Sequence, residues 1–298
     1  MHIKEKHLQL LPTLQNALLA VAVFCYWMWI APHLLFFRES MQLFLWTEDY
    51  LSERLAVPGG FAQYLGECIV QLFLNPAIGA GCYALMAVMT KIISARLLSS
   101  VITDKIRWSW LTLLPPLVLW YITTVPTIPM TVPVALLLTI TLMAILPDNP
   151  RSSMWLTIVL VPAGYWLLGP AIVLLPLYHL RFLHRAQRFH IVTVVLGTLL
   201  LLAGSVVASS RVVAYPLRML VQGIDYHWAP ELMGDEEEMI YDMLSRRHRW
   251  ATIANRYNTH PSDNPAILAV AKYALYHEGM IERQELLQGL APSFRSKN

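Results

Sequence analysis

"FAQYLGECIVQLFLNP", residues 61–76, is strongly apolar yet sets Gln63, Glu67, Gln71 and Asn75 four residues apart. On a helix that spacing lines the four side chains along one stripe. An ionisable group inside a bilayer costs a few kcal/mol even on lenient insertion scales, so Glu67 is expected to face protein or a wet cavity rather than lipid. Two readings follow. In one, Glu67 and the amides are interhelical glue. In the other, Arg38, Gln63, Glu67 and Gln71 line a substrate cavity between this segment and the preceding loop. Asn75-Pro76 here and Gly169-Pro170 further on each interrupt an apolar segment, a pattern that points to a substrate site in secondary transporters.

The surrounding chain decides the environment. Of 298 residues 56% are hydrophobic and 14% charged, against roughly 25% charged in soluble domains. Charge-free runs long enough to span a bilayer cover 8–37, 68–90, 108–147, 152–180 and 189–210. The 40-residue run 108–147 reads as a hairpin turning near "TTVPTIP" at 123–129, and Gly169-Pro170 breaks 152–180 into two short or tilted pieces. The expected fold is an all-α polytopic transmembrane bundle of about seven spans, range six to eight. In the eight-span version 61–74 and 76–90 are separate passes.

Lys91, Arg96, Lys105 and Arg107 flank one connection and Arg181, Arg185 and Arg188 fill another, which places both in the cytoplasm with Lys4 and Lys6. The domain 211–298, which holds 21 of the 41 charges, then lies outside, and residues 1–210 form the membrane domain. A net charge of +3 spread over such loops argues for a lipid bilayer and against nucleic acid as a partner. Cys25, Cys68 and Cys82 sit in apolar segments and are odd in number, so no disulfide framework or metal site is expected. His33 and His179 lack partners at metal-ligand spacing and read as interfacial anchors. No cofactor fingerprint is present.

Residues 38–60 carry Glu39, Glu48, Asp49 and Glu53 with apolar residues at helical intervals, which fits an outer interfacial helix ended by Pro58-Gly59-Gly60. The acids either face water or form a site: a carboxylate at the membrane surface is suited to act as a general base, and Glu39, Glu48 and Asp49 are the catalytic candidates. First helix, acidic outer loop, interfacial helices and further spans resemble in layout the C-type-fold glycosyltransferases, over about residues 10–100. That likeness implies a lipid-linked substrate.

Beyond Arg211 the pattern is that of soluble helices. Asp235 is a candidate N-cap, with acids in the first turn and Arg246, Arg247 and Arg249 near the end. A second helix is expected over about 250–257 and a third over 266–277, stopped by Gly279. Trp250, Ile253, Tyr257, Pro261, Ala271, Ala274 and Gly279 look like a degenerate tetratricopeptide-type pair. Through "PGGFAQYLGECIVQLFLNPAIGA" (58–80) and "RRHRWATIANRYNTHPSDNP" (246–265) the chain resembles an uncharacterised family of bacterial multi-pass membrane proteins with C-terminal tetratricopeptide-like helices. The resemblance carries no activity; topology and the helix-pair module point to a bacterial inner-membrane protein whose periplasmic C-terminal domain binds a protein partner in envelope assembly or transport. The alternatives are a glycosyl or lipid-head-group transferase and a secondary transporter.

Overall fold

The computed structural model describes residues 2–99, 109–184, 188–229 and 234–287. Lys105, Arg107, Trp108, Arg185 and the tail from 288 lie outside the described residues, as do the side chains of Lys4, Lys6 and Arg188. Among the described residues the secondary structure is helical throughout, with no strand.

Helix α1 (His2–Cys25) runs into a π-helical turn, Tyr26–Ile30, and Pro32 then starts α2 (Pro32–Met41). α3 (Glu48–Leu55) is capped by Thr47, whose hydroxyl accepts from the Tyr50 amide at 3.2 Å. α4 (Gly60–Val70) tightens into a 3-10 turn, Gln71–Leu74, before α5 (Pro76–Ser99). Asn75-Pro76 therefore separates two helices rather than kinking one: the Asn75 side chain accepts from the Ala77 amide at 3.0 Å, and proline needs no partner at a first helical position. A 3-10 turn (Ser109–Leu113) leads to α6 (Leu114–Thr124), and the expected hairpin turn joins it to α7 (Thr131–Ile145). α8 (Pro150–Leu168) ends at Gly169, whose φ of +73° suits glycine. The chain continues through a 3-10 turn (Gly169–Val173), α9 (Leu174–Tyr178) and a second 3-10 turn (His179–His184) into α10 (Arg188–Ser209).

Among the described residues four segments are long and apolar enough to cross a membrane: Pro12–Ile30, Pro76–Ser99, Pro150–Phe182 and Ile191–Ser209. α6 and α7 have 11 and 15 residues, or roughly 16 and 22 Å at 1.5 Å per residue, short of the roughly 30 Å hydrocarbon core. α4 with its 3-10 turn reaches roughly 25 Å.

The loops gather at two ends of the bundle. At one end the guanidinium of Arg181 donates to the Pro147 carbonyl at 2.9 Å and lies 3.6 Å from Asp148, joining the α7–α8 connection to the turn after α9. At the other end, the two glycine breaks noted in the sequence meet. The Gly59 amide donates to the Trp166 carbonyl and the Trp166 indole donates to the Leu55 carbonyl, each at 2.9 Å. Arg38 is fully buried there, and its guanidinium donates to the carbonyls of Thr123 (2.8 Å), Val125 (3.1 Å) and Ile128 (2.6 Å). It thereby supplies donors to carbonyls that the end of α6 leaves without helical partners.

Small residues set the spacing inside the bundle. Ala80, Ala84 and Ala87 share a buried face of α5 with Lys91, whose ammonium donates to the Asn16 side chain of α1 at 2.6 Å. Trp27 stacks on Tyr83 at 4.2 Å. His33 and His179 are buried (6% and 2% exposed) rather than interfacial, and the His179 ring nitrogen pairs with the Thr157 hydroxyl at 2.7 Å.

After α11 (Leu217–Gln222), three helices follow the expected order: α12 (Glu236–Arg246), α13 (Trp250–Thr259) and α14 (Pro265–His277). Asp235 holds the N-cap position of α12 without a capping hydrogen bond, whereas Asn264 caps α14 through the Ala266 amide. α12 serves two cores. Met239 joins the main one, while Tyr241 packs with Ile253, Ile267, Ala271 and Ala274 in a small second one.

Gly66 measures how closely α4 approaches α7. A β-carbon there would lie 2.9 Å from the Thr131 nitrogen and 3.0 Å from the Met130 carbonyl carbon, both backbone atoms that cannot swing away. Gly66→Val is expected to lower stability by about 1–3 kcal/mol in a detergent-solubilised thermal melt. Gly81→Ala, where nothing lies within 4 Å, is the control expected to melt like the parent.

Candidate functional site

The stripe that opened the sequence lies at the α3 end of the bundle, and Glu67 is its centre. The residue is 4% exposed. Glu67 Oε2 lies 2.6 Å from the Tyr50 hydroxyl and 3.0 Å from Arg54 Nε, and Oε1 accepts from Gln63 Nε2 at 3.0 Å. Arg54 also donates to the Tyr50 oxygen at 2.8 Å and lies 4.6 Å from the centre of its ring. The phenol has a single proton, shared between Glu67 and the Leu43 carbonyl 2.8 Å away. Burial first, and the Glu67 hydrogen bond second, push the Tyr50 hydroxyl up to about 12. Glu67 thus ties the start of α3 (Tyr50), its end (Arg54) and α4 into one unit.

The other stripe residues have separate tasks. Gln63 serves Glu67, Gln71 donates to the Gln42 carbonyl at 3.2 Å, and Asn75 caps α5. Of the loop acids, Glu39 is one-sixth exposed (17%) and faces α12, 3.4 Å from Arg246, which also pairs with Asp242 at 2.9 Å. Glu48 and Asp49 are exposed in the first turn of α3, where negative charge complements the helix dipole. Among the described residues they share no hydrogen bond or ion pair with Glu39. The seven candidates therefore divide into a lock (Gln63, Glu67), two positioning residues (Arg38, Gln71), a strut to α12 (Glu39) and a helix start (Glu48, Asp49).

Sequence reasoning missed the strap 223–228. Asp225 accepts from the Thr131 hydroxyl at 2.6 Å, the Tyr226 hydroxyl donates to the Leu168 carbonyl, and the Trp228 amide donates to the Thr127 carbonyl at 2.8 Å. The Tyr165 hydroxyl fixes α11 through the Leu220 carbonyl at 3.0 Å. Burial, with a smaller contribution from Glu67, pushes the Asp225 carboxyl up to about 6 against the hydrogen bonds from Thr131 and Trp228. The stretch "GIDYHW" has no helical or strand period, so only its placement between apolar and charged regions signalled a role. Sequence reasoning also missed the pairing of buried His33 with Glu236, Nε2 to Oε1 at 3.3 Å.

The chain belongs to the family of unknown function DUF6057, which matches residues 6–296. No protein of curated function and no solved structure matches it.

Glu67→Leu removes the acceptor for Tyr50 and Arg54 and is expected to cost about 2–4 kcal/mol. Glu67→Gln keeps one oxygen and should cost less, and thermal melts with limited proteolysis in 42–60 measure both. Asp225 adds a pH dependence. Its folded value lies above the ordinary 3.8, so its contribution to holding the strap is complete below about pH 4 and is lost as pH rises through about 6. Hydrogen exchange over 223–228, corrected for the intrinsic rate, should speed up across that window, and Asp225→Asn should remove the trend.

Proposed function

We propose that the protein is a bacterial inner-membrane component of envelope assembly or transport, with its helical bundle as anchor and α12–α14 as a periplasmic limb that binds a partner protein. The observation that carries this reading is the uncovered aromatic face of the limb. Tyr273, Tyr276 and Met280 are 46%, 41% and 52% exposed. The Trp250 ring lies edge-on to Tyr273 at 5.0 Å and 5.7 Å from the His277 ring. Rings held by one another offer apolar contact area at little entropic cost, as at binding surfaces. A tetratricopeptide-like pair also needs neighbours to cover its faces, and among the described residues Tyr273 and Tyr276 of α14 are left open.

Mounting supports the same reading. α12 lies along α2 through His33–Glu236 at one end and Glu39–Arg246 at the other, with the Arg247 guanidinium 4.9 Å from the Phe36 ring between them. The limb is therefore held on the anchor by several contacts and is not a tethered tail. In this proposal the chain crosses seven times, with α6, α7 and the return 169–184 as short traverses, because Arg181 lies beside Asp148 while Gly59 lies beside Trp166. α11 and the strap 223–228 belong with the anchor, and the limb starts at α12. The transferase reading centred on Glu39 and the transporter reading centred on Glu67 are weakened because Glu39 is engaged by Arg246 and Glu67 by three donors, which of the candidate acids leaves only Glu48 and Asp49 free in water.

A photo-crosslinking residue at Tyr273 should give discrete protein adducts in cells, and one at Tyr121, 72% exposed on the bundle, should not. Trp250→Ala should reduce the adducts several-fold at unchanged protein level. In a background lacking Cys25, Cys68 and Cys82, Asp263→Cys should react with an impermeant maleimide in intact spheroplasts, and Ser152→Cys only after lysis. Diffuse labelling at Tyr273, or both cysteines reacting from one side, would refute the proposal.

A further inference from the structure

A cavity of about 420 Å³ lies where the first apolar helix ends, between the π-helical turn, the start of α2, the α6–α7 turn and the start of α12. Its volume falls within the roughly 300–1,000 Å³ of small-molecule sites, and it lies between the bundle and the limb, where such sites concentrate. Tyr26, His33, Thr124, Thr127 and Glu236 bring polar groups to its wall, and Ile30 lies on the apolar side. Ile30 and its neighbour Trp29 are 68% and 67% exposed, so this side of the cavity borders the bundle surface that lipid covers. The π-helical turn that carries Tyr26 is a rare conformation and recurs at functional sites.

Charge selects the ligand. The imidazole of His33 is 93% buried, and burial holds it below its ordinary value against the opposing pull of Glu236. It is thus neutral at physiological pH and leaves the Glu236 carboxylate uncompensated. Among the described residues Glu236 has no other cationic partner, whereas Glu237 lies 4.0 Å from Arg256 and Glu238 accepts from Asn264. On the wall itself a carboxylate, a phenol and two threonine hydroxyls present acceptors and no cation; Arg256, which also bears on His33, lies outside the lining and is paired with Glu237. A metal ion is disfavoured because His33 and Glu236 supply only two strong ligands, and structural sites want about four.

We propose that this cavity binds a primary ammonium group, carried either by the ethanolamine-type headgroup of a phospholipid or by a free alkylamine. The ammonium donates to the Glu236 carboxylate and to hydroxyl oxygens of the wall. A trimethylammonium has no N–H to donate and a glycerol headgroup has no positive charge, so both fit less well. The site concerns a small ligand and stands apart from partner binding by α13–α14.

The test uses the full chain in detergent and isothermal titration with short-chain phosphatidylethanolamine, phosphatidylcholine and phosphatidylglycerol, and with ethanolamine alone. The ethanolamine lipid should bind about tenfold more tightly than either of the others. Glu236→Gln should erase that preference, and, as glutamine keeps an oxygen that can accept from the neutral His33 ring, it should preserve the contact with α2 and the melting temperature. Equal affinities for the three lipids, or a preference that survives Glu236→Gln, would overturn the proposal. If ethanolamine alone competes at concentrations similar to the lipid, the source is a soluble amine. If it does not compete, the source is the lipid.

Discussion

A carboxylate enclosed by apolar helices is tolerable only when donors surround it, and Glu67 is the point at which this chain meets that requirement. Its three donors come from α3 and from α4 itself, so the group that is costly to bury also fixes the hairpin that buries it. The hairpin then positions Gly59 against Trp166 and Gly66 against the Met130–Thr131 backbone. Through those two contacts it sets where α7 and α8 stand. The strap adds Asp225 on Thr131, one residue beyond Met130, so a second carboxylate closes over the same place.

That arrangement separates polar residues that look alike in sequence. Arg38 and Glu39 are neighbours, yet the guanidinium points into the bundle to serve three carbonyls while the carboxylate faces α12. A charged pair adjacent in sequence suggests one site. On a helix, adjacent residues point about 100° apart, so they serve two different interfaces. The same geometry explains why Glu48 and Asp49 stay in water: with Thr47 as cap they stabilise the start of α3, and Tyr50, one step on, is the residue that turns inward.

Much of the fold was legible because its signals are local. Gly59, Gly169 and Gly279, read as breaks, have positive φ, and the apolar runs mark the bundle, whereas sequence reasoning missed the caps Thr47, Asn75, Asn149 and Asn264, and Asp235, the one cap candidate, makes no capping hydrogen bond. The helices 236–246, 250–259 and 265–277 fall close to where periodicity placed them. Span lengths were less legible, because a charge-free run of 40 residues does not say how many are spent on turns and 3-10 segments: α6 and α7 use 26 of them. The partners of Glu67 were half legible. Gln63 follows from i, i+4 spacing, whereas Tyr50 and Arg54 reach it only because α3 folds back at Pro58-Gly59-Gly60, a tertiary event without a period. His33 and Glu236 are 203 positions apart, and no local rule connects them.

The mount between limb and bundle has its own physical logic. A single surface ion pair such as Glu39–Arg246 contributes at most about 1 kcal/mol, too little to hold three helices in place. α12 does so by combining weak polar contacts at its ends with Met239 buried in the bundle core and Tyr241 in the limb core. Apolar burial supplies most of the cohesion, and the two polar pairs fix the register along α2. Because His33 and Glu39 sit nearly two turns apart on α2, and Glu236 and Arg246 nearly three turns apart on α12, sliding one helix along the other breaks both pairs at once. The cavity beside Glu236 keeps its shape for the same reason, since its walls come from elements that this register holds together.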